Sequence, residues 1–139
     1  LRLFDTKGKE VANTFYWRSN DKYEGRKTLT GPTSSGFEDL SKLKQVQLKT
    51  RYQTYQEGDR HFIKAEIKNP SSTVAFFTQL QLLGQDKKPV RPSFYTDNFF
   101  SLLPGESKTV IIETAASDMP SEPTFVVKGW NIKPSSFKL

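Results

Sequence analysis

The sequence predicts an all-β protein built as two packed antiparallel sheets. Three observations carry this: period-2 alternation of apolar and polar residues, turn signals at short intervals, and no stretch with a clean 3.6-residue apolar stripe. Aromatic residues make up 13% of the 139-residue chain, with 11 Phe, and suit pleated, half-buried surfaces.

The alternation can be followed strand by strand. In "VQLKTRYQTYQ", Val46, Leu48, Thr50 and Tyr52 share a face opposite Gln47, Lys49, Arg51 and Gln53. In "RHFIKAEIKN", Ile63, Ala65 and Ile67 oppose Lys64, Glu66 and Lys68. In "VAFFTQLQLLG", Val74, Phe76, Thr78, Leu80 and Leu82 oppose Ala75, Phe77, Gln79, Gln81 and Leu83. "SKTVIIETA" and "TFVVKGWN" continue the pattern, and the opening "LRLFDTKGKEV" also reads as strand. "QEGDR" reads as a tight hairpin turn, and "KNPSSTV", "GQDKKP", "LPGES" and "AASDMPSEP" as further breaks. Seven or eight short strands so spaced predict a sandwich rather than alternating strands and helices. Phe15, Trp17, Phe76 and Phe125 are expected in its core.

One domain spanning 1–139 is the simplest organisation for this length. A long loop at 19–43, rich in Gly, Ser and Thr, interrupts it, and Phe37, Leu40 and Leu43 are expected to fold back on the sandwich. The first residue is not Met, so the chain reads as a piece of a longer protein with any targeting signal upstream. No apolar run approaches the length of a membrane-spanning helix, and no membrane partner is expected.

The residue inventory narrows the chemistry. Without Cys there is no disulfide, thiolate metal site or Cys nucleophile. The formal charge of +6 is dispersed, Lys87-Lys88 being as long a basic run as occurs, so nucleic acid is not an expected partner. His61 is the single histidine, beside the "QEGDR" turn, with no second imidazole or thiol to complete a metal site, so neither metal nor cofactor is expected. Asp97 and Glu106 are the carboxylates to weigh for glycoside hydrolysis, which needs two across a sugar. Their settings, before Asn98 and after Pro104-Gly105, read as local turn roles, leaving no expected catalytic residue.

The stretch "SFYTDNFFSLLPGES" (93–107) sets four aromatic rings around an Asp-Asn pair. Exposed aromatics of this kind stack on sugar rings in carbohydrate-binding modules, for which Tyr95, Phe99 and Trp130 are first candidates. "NTFYWRSND", "FEDLSKL", "IKNPSSTVAFFTQLQLL", "FYTDNFFSLLPGESKTV" and "VVKGWN", in that order, resemble the C-terminal immunoglobulin-like domain of glycoside hydrolase family 2, of the β-mannosidase and exo-β-D-glucosaminidase type. The resemblance runs from about Val11 to Asn131, Asp97-Asn98-Phe99 with Leu103-Pro104-Gly105-Glu106 being its most specific part.

That resemblance implies an immunoglobulin-like sandwich of about seven to nine strands. It also implies a large bacterial parent chain, periplasmic or secreted, whose (β/α)8 barrel carries both catalytic glutamates of a retaining mechanism. The domain's partners would be the other domains of that chain, the barrel above all, and an oligosaccharide where it edges the active-site cleft. Tyr95, Asp97, Asn98, Phe99 and Trp130 are then the cleft-edge candidates. An autonomous carbohydrate-binding module is the alternative, and an adhesion or chaperone sandwich that adds a partner's strand at an exposed edge is a third reading.

Overall fold

The computed structural model describes residues 1–16 and 38–139, which fall into two compact units, 1–43 and 44–139. Trp17, Phe37 and most of the predicted 19–43 loop lie outside the described residues. The first unit contains a hairpin of β1 (Arg2–Phe4) and β2 (Glu10–Asn13), then a 3-10 turn at Glu38–Lys42. The opening stretch is therefore two strands rather than one. Asp5 Oδ1 accepts from the N–H groups of Lys7 at 2.8 Å and Lys9 at 2.9 Å, and Gly8 takes a φ of +78° that a side chain would resist. Phe15 is 49% exposed, against the expectation that it enters the core, because it follows this ribbon and belongs to neither sheet of the sandwich.

The second unit is the sandwich. One sheet has the order β3 (Lys49–Glu57), β4 (Arg60–Lys68), β8 (Ser107–Ala115), β6 (Phe94–Tyr95). The other has the order β10 (Ser135–Lys138), β9 (Thr124–Lys128), β5 (Ala75–Leu83), β7 (Phe100–Leu102). All pairs are antiparallel, and the regular elements besides strands among the described residues are two short 3-10 turns. The predicted "QEGDR" turn is a two-residue connection closed by Glu57 and Arg60, with Gly58 at φ +58° in its first central position, as a type II′ turn requires.

The period of two builds the core. Ile63, Ala65 and Ile67 of β4 face inward beside Ile112 and Val110 of β8, while Lys64, Glu66 and Lys68 face solvent. Leu80 and Leu82 of β5 and Phe125 and Val127 of β9 meet them from the other sheet. Where β3 and β10 end their sheets, Tyr52, Phe125 and Phe137 cluster with ring centroids 5.5–6.2 Å apart, and Tyr52 Oη donates to the Lys138 carbonyl at 2.9 Å. That bond ties one sheet to the other without a disulfide.

Among the sandwich strands the alternation breaks in β5. Ala75 pairs with Leu102 but Thr78 pairs with Phe100, so β5 holds one more residue than β7 over the same span. This is a β-bulge, with Phe77 at φ +57°. The extra residue reverses the face of Ala75 at the start of the strand. Ala75, expected outside, is fully buried in the core, Phe76 is buried as well, and Phe77 is 39% exposed. A methyl group at Gly129 would lie 2.4 Å from Ile132 Cδ1 and 2.9 and 3.0 Å from the carbonyl oxygens of Phe77 and Phe76. The glycine is thus what lets the β9 exit pass against the bulge.

Asn131 holds the same corner. It is buried, accepts from the Phe76 N–H through Oδ1 at 2.8 Å, and donates through Nδ2 to the carbonyls of Lys44 at 2.9 Å and Val74 at 2.8 Å. Beside it, Val46 N–H donates to the Asn131 carbonyl and Lys133 N–H to the Val46 carbonyl, a parallel bridge that brings the segment before β3 alongside the segment before β10.

Two substitutions test this corner. Asn131→Ala strands one buried donor and two acceptors and is expected to cost about 3 kcal/mol or more in urea denaturation. A loss below about 1 kcal/mol would show that the backbone finds other partners. Gly129→Ala is expected to cost about 1–3 kcal/mol through overpacking, and an unchanged midpoint would contradict the close approach.

Candidate functional site

The stretch 93–107 carries the chain from one sheet to the other. Tyr95 of β6 lies opposite Ile112 of β8. Thr96 extends that pairing, its N–H donating to the Ile111 carbonyl and its Oγ1 accepting from the Ile111 N–H, both at 3.0 Å. Four residues later the chain is β7, paired to β5. Between the two, side chains replace strand pairing along β5. Asn98 Oδ1 accepts from the Leu80 N–H at 2.8 Å, and Asn98 Nδ2 donates to the Leu80 carbonyl at 3.0 Å. Tyr95 Oη accepts from the Leu82 N–H at 2.9 Å.

Asp97 is engaged locally too. Its Oδ1 accepts from the Asn98 N–H at 2.7 Å, and its Oδ2 forms an ion pair with Lys108 Nζ. The same ammonium lies 4.9 Å from the centroid of the Phe100 ring, a cation–π arrangement. In the following turn Gly105 takes φ +81° after Pro104, as a type II turn requires, and Glu106 Oε2 accepts from the Leu103 N–H at 2.8 Å. Asp97 and Glu106 thus each hold a backbone N–H in place, the local role their positions predict. His61 lies in β4 between Gln56 and Thr114, and among the described residues no cluster of His, Asp and Glu could hold a metal ion.

Of the five candidates, the polar atoms of Tyr95, Asp97 and Asn98 are therefore turned inward onto the protein's own groups. The rings of Phe99 and Trp130 are turned outward, 49% and 61% exposed. Both contact the bulge. Phe99, at φ +58°, sits 5.3 Å from Phe77 between ring centroids, and the Trp130 N–H donates to the Phe76 carbonyl at 3.0 Å. These residues leave apolar surface beside the bulge. Phe77 was not among the candidate residues, although the alternation through β5 sets it on the face opposite Phe76. Elsewhere a cavity of about 510 Å³ is lined by Leu83, Gln85, Lys87, Glu122, Ser136 and Lys138, among others. Its walls come from separated segments that carry no common sequence motif.

Burial raises the pKa of Tyr95 above the ordinary tyrosine value, because the phenolate is poorly solvated there. In the unfolded chain the group titrates near 10. The stability it contributes is therefore complete below about pH 10 and is lost as pH rises through its higher folded value. Tyr95→Phe should remove that part of the alkaline loss. At pH 7 it should cost about 1–3 kcal/mol, through the unpartnered Leu82 N–H. Urea midpoints of the two proteins between pH 7 and 11 check both effects, and parallel curves with no offset would contradict them.

Comparison with known proteins places this geometry. Residues 28–132 match the family model of the exo-β-D-glucosaminidase Ig-fold domain. An exo-β-D-glucosaminidase of Streptomyces avermitilis is 32% identical over 94% of this chain, and one of Amycolatopsis orientalis is 29% identical over 93%. The chain spans 16% and 14% of their respective lengths. The crystal structure of the Amycolatopsis orientalis exo-chitosanase CsxA superposes with a TM-score of 0.82 at 23% identity, over 98% of this chain and 17% of that one, and so shares the fold. With three-quarters of its length inside the family model, the chain belongs to the exo-β-D-glucosaminidase Ig-fold domain family.

Proposed function

We propose that this domain is a non-catalytic accessory part of a longer exo-β-D-glucosaminidase, bracing the catalytic barrel and edging its active-site cleft. One observation carries the reading. A hydrolase needs two available carboxylates across a sugar, and the 93–107 stretch commits Asp97 to Lys108. A docking surface needs apolar area, and the bulge corner supplies it.

The initial resemblance left β-mannosidase and exo-β-D-glucosaminidase open. The family model and both relatives carry the glucosaminidase name, so we take that branch, with terminal β-linked glucosamine as the sugar the parent enzyme removes. A periplasmic or secreted location goes with it, since an enzyme that trims a polymer must meet it outside the cytoplasm. The exposed rings of Phe99 and Trp130 also favour the alternative, an autonomous carbohydrate-binding module.

Two measurements separate these readings. The chain alone should release no glucosamine from chitosan oligosaccharides, and the longer polypeptide should; turnover by the chain alone would overturn the proposal. Phe99→Asp with Trp130→Asp in the longer polypeptide should lower its melting temperature by several degrees. If stability holds but calorimetric heats with chitosan oligosaccharides disappear, the binding-module reading replaces the accessory one.

A further inference from the structure

The four strands that end the two sheets are unequal. β10, β7 and β6 have four, three and two residues, whereas β3 has nine, in unbroken register with β4 from Lys49–Lys68 to Glu57–Arg60. Long edges are usually blunted by proline, a bulge or an inward charge. β3 has no proline and no bulge, and its charged residues lie on the outer face.

The hairpin geometry fixes which backbone groups this edge presents. A two-residue connection makes Glu57–Arg60 a hydrogen-bonded pair, and such pairs alternate along an antiparallel ladder. Odd-numbered residues of β3 therefore bond to β4. The N–H and C=O groups of Thr50, Tyr52, Thr54 and Gln56 point the other way, and among the described residues no strand pairs with them.

The outer-face row of β3 reads Lys49, Arg51, Gln53, Tyr55, Glu57. Reversed and laid beside itself about Gln53, it places Lys49 opposite Glu57 and Arg51 opposite Tyr55, each twice. Opposite charges and a cation over an aromatic ring both stabilise cross-strand neighbours. In that register Thr50 also bonds Gln56, and Tyr52 bonds Thr54, through the outward-pointing backbone groups. Laid parallel in register, the row would put like charge on like charge instead.

We propose that β3 is a homotypic docking edge: it pairs antiparallel with β3 of a second copy about Gln53, joining two four-stranded sheets into one of eight. Such an interface is isologous and closes as a dimer.

Sedimentation equilibrium of the chain, with circular dichroism confirming that each variant is folded, tests this. The expected result is a concentration-dependent mass approaching twice 15.9 kDa. Lys49→Glu or Glu57→Lys alone should weaken association about tenfold or more, since each creates two like-charge pairs. The double variant, with the charges exchanged, should restore it. Thr54→Pro removes an outward N–H and leaves the β4 ladder intact, so it should give a folded monomer. A monomer at millimolar concentration would overturn the proposal, as it would if another part of a longer polypeptide occupies the edge. A dimer indifferent to the single charge changes, or a double variant that stays dissociated, would overturn it as well. Should Thr54→Pro fail to fold, the charge exchange decides alone.

Discussion

Where a strand leaves one sheet for the other, its neighbours lose backbone partners, and in this sandwich three asparagine side chains replace them. Asn131 bonds the backbone of Phe76, Lys44 and Val74, and Asn98 bonds both polar groups of Leu80. Asn69, fully buried, donates to the carbonyls of Thr73 and Leu102 and accepts from Ser71. An amide suits these places because it carries a donor and an acceptor on one flat group, as a peptide does. A buried backbone group left unpaired costs about 1–3 kcal/mol, a large share of a domain's net stability. The crossovers therefore depend on these residues as the sheets depend on Ile63, Phe125 and their neighbours.

This constraint also shapes the surface. Because Asn98 and Tyr95 satisfy the outer half of β5, β7 need pair only with its first half, next to the bulge. Phe77 faces outward at the bulge, its ring beside that of Phe99, and the Trp130 N–H is bonded to the Phe76 carbonyl. The polar residues of the 93–107 stretch build the crossover, while the Phe99 ring stays exposed beside it. At the other side of the sandwich, Tyr52 closes β3 onto β10 from within, while among the described residues no strand pairs with the outer backbone edge of β3.

Most of the sandwich was legible in the sequence, for a physical reason. β4 and β8 are each buried on one face, so their alternation reports orientation directly. β5 breaks this rule. A bulge adds a residue without a marker such as glycine, and "AFFT" reads the same with or without it; the glycine that accommodates it, Gly129, lies in another strand. The opening hairpin could have been found from Asp5 and Gly8, a local turn pair, but was masked by the apolar residues flanking it. Of the candidate residues, Phe99 and Trp130 are the two with largely exposed rings. Tyr95, Asp97 and Asn98 have the right chemistry for a binding site and are held by contacts 11 to 18 positions away in sequence, or by a neighbour, which no local pattern reveals.

Native-state amide hydrogen exchange tests the central claim most directly. The N–H groups of Phe76, Leu80 and Leu82 are bonded by the side chains of Asn131, Asn98 and Tyr95. They should be protected nearly as well as ladder amides such as Ile63 and Ile112, exchanging only through large-scale unfolding. Exchange of these three at the rate of exposed loop amides, while the ladders stay protected, would contradict the account.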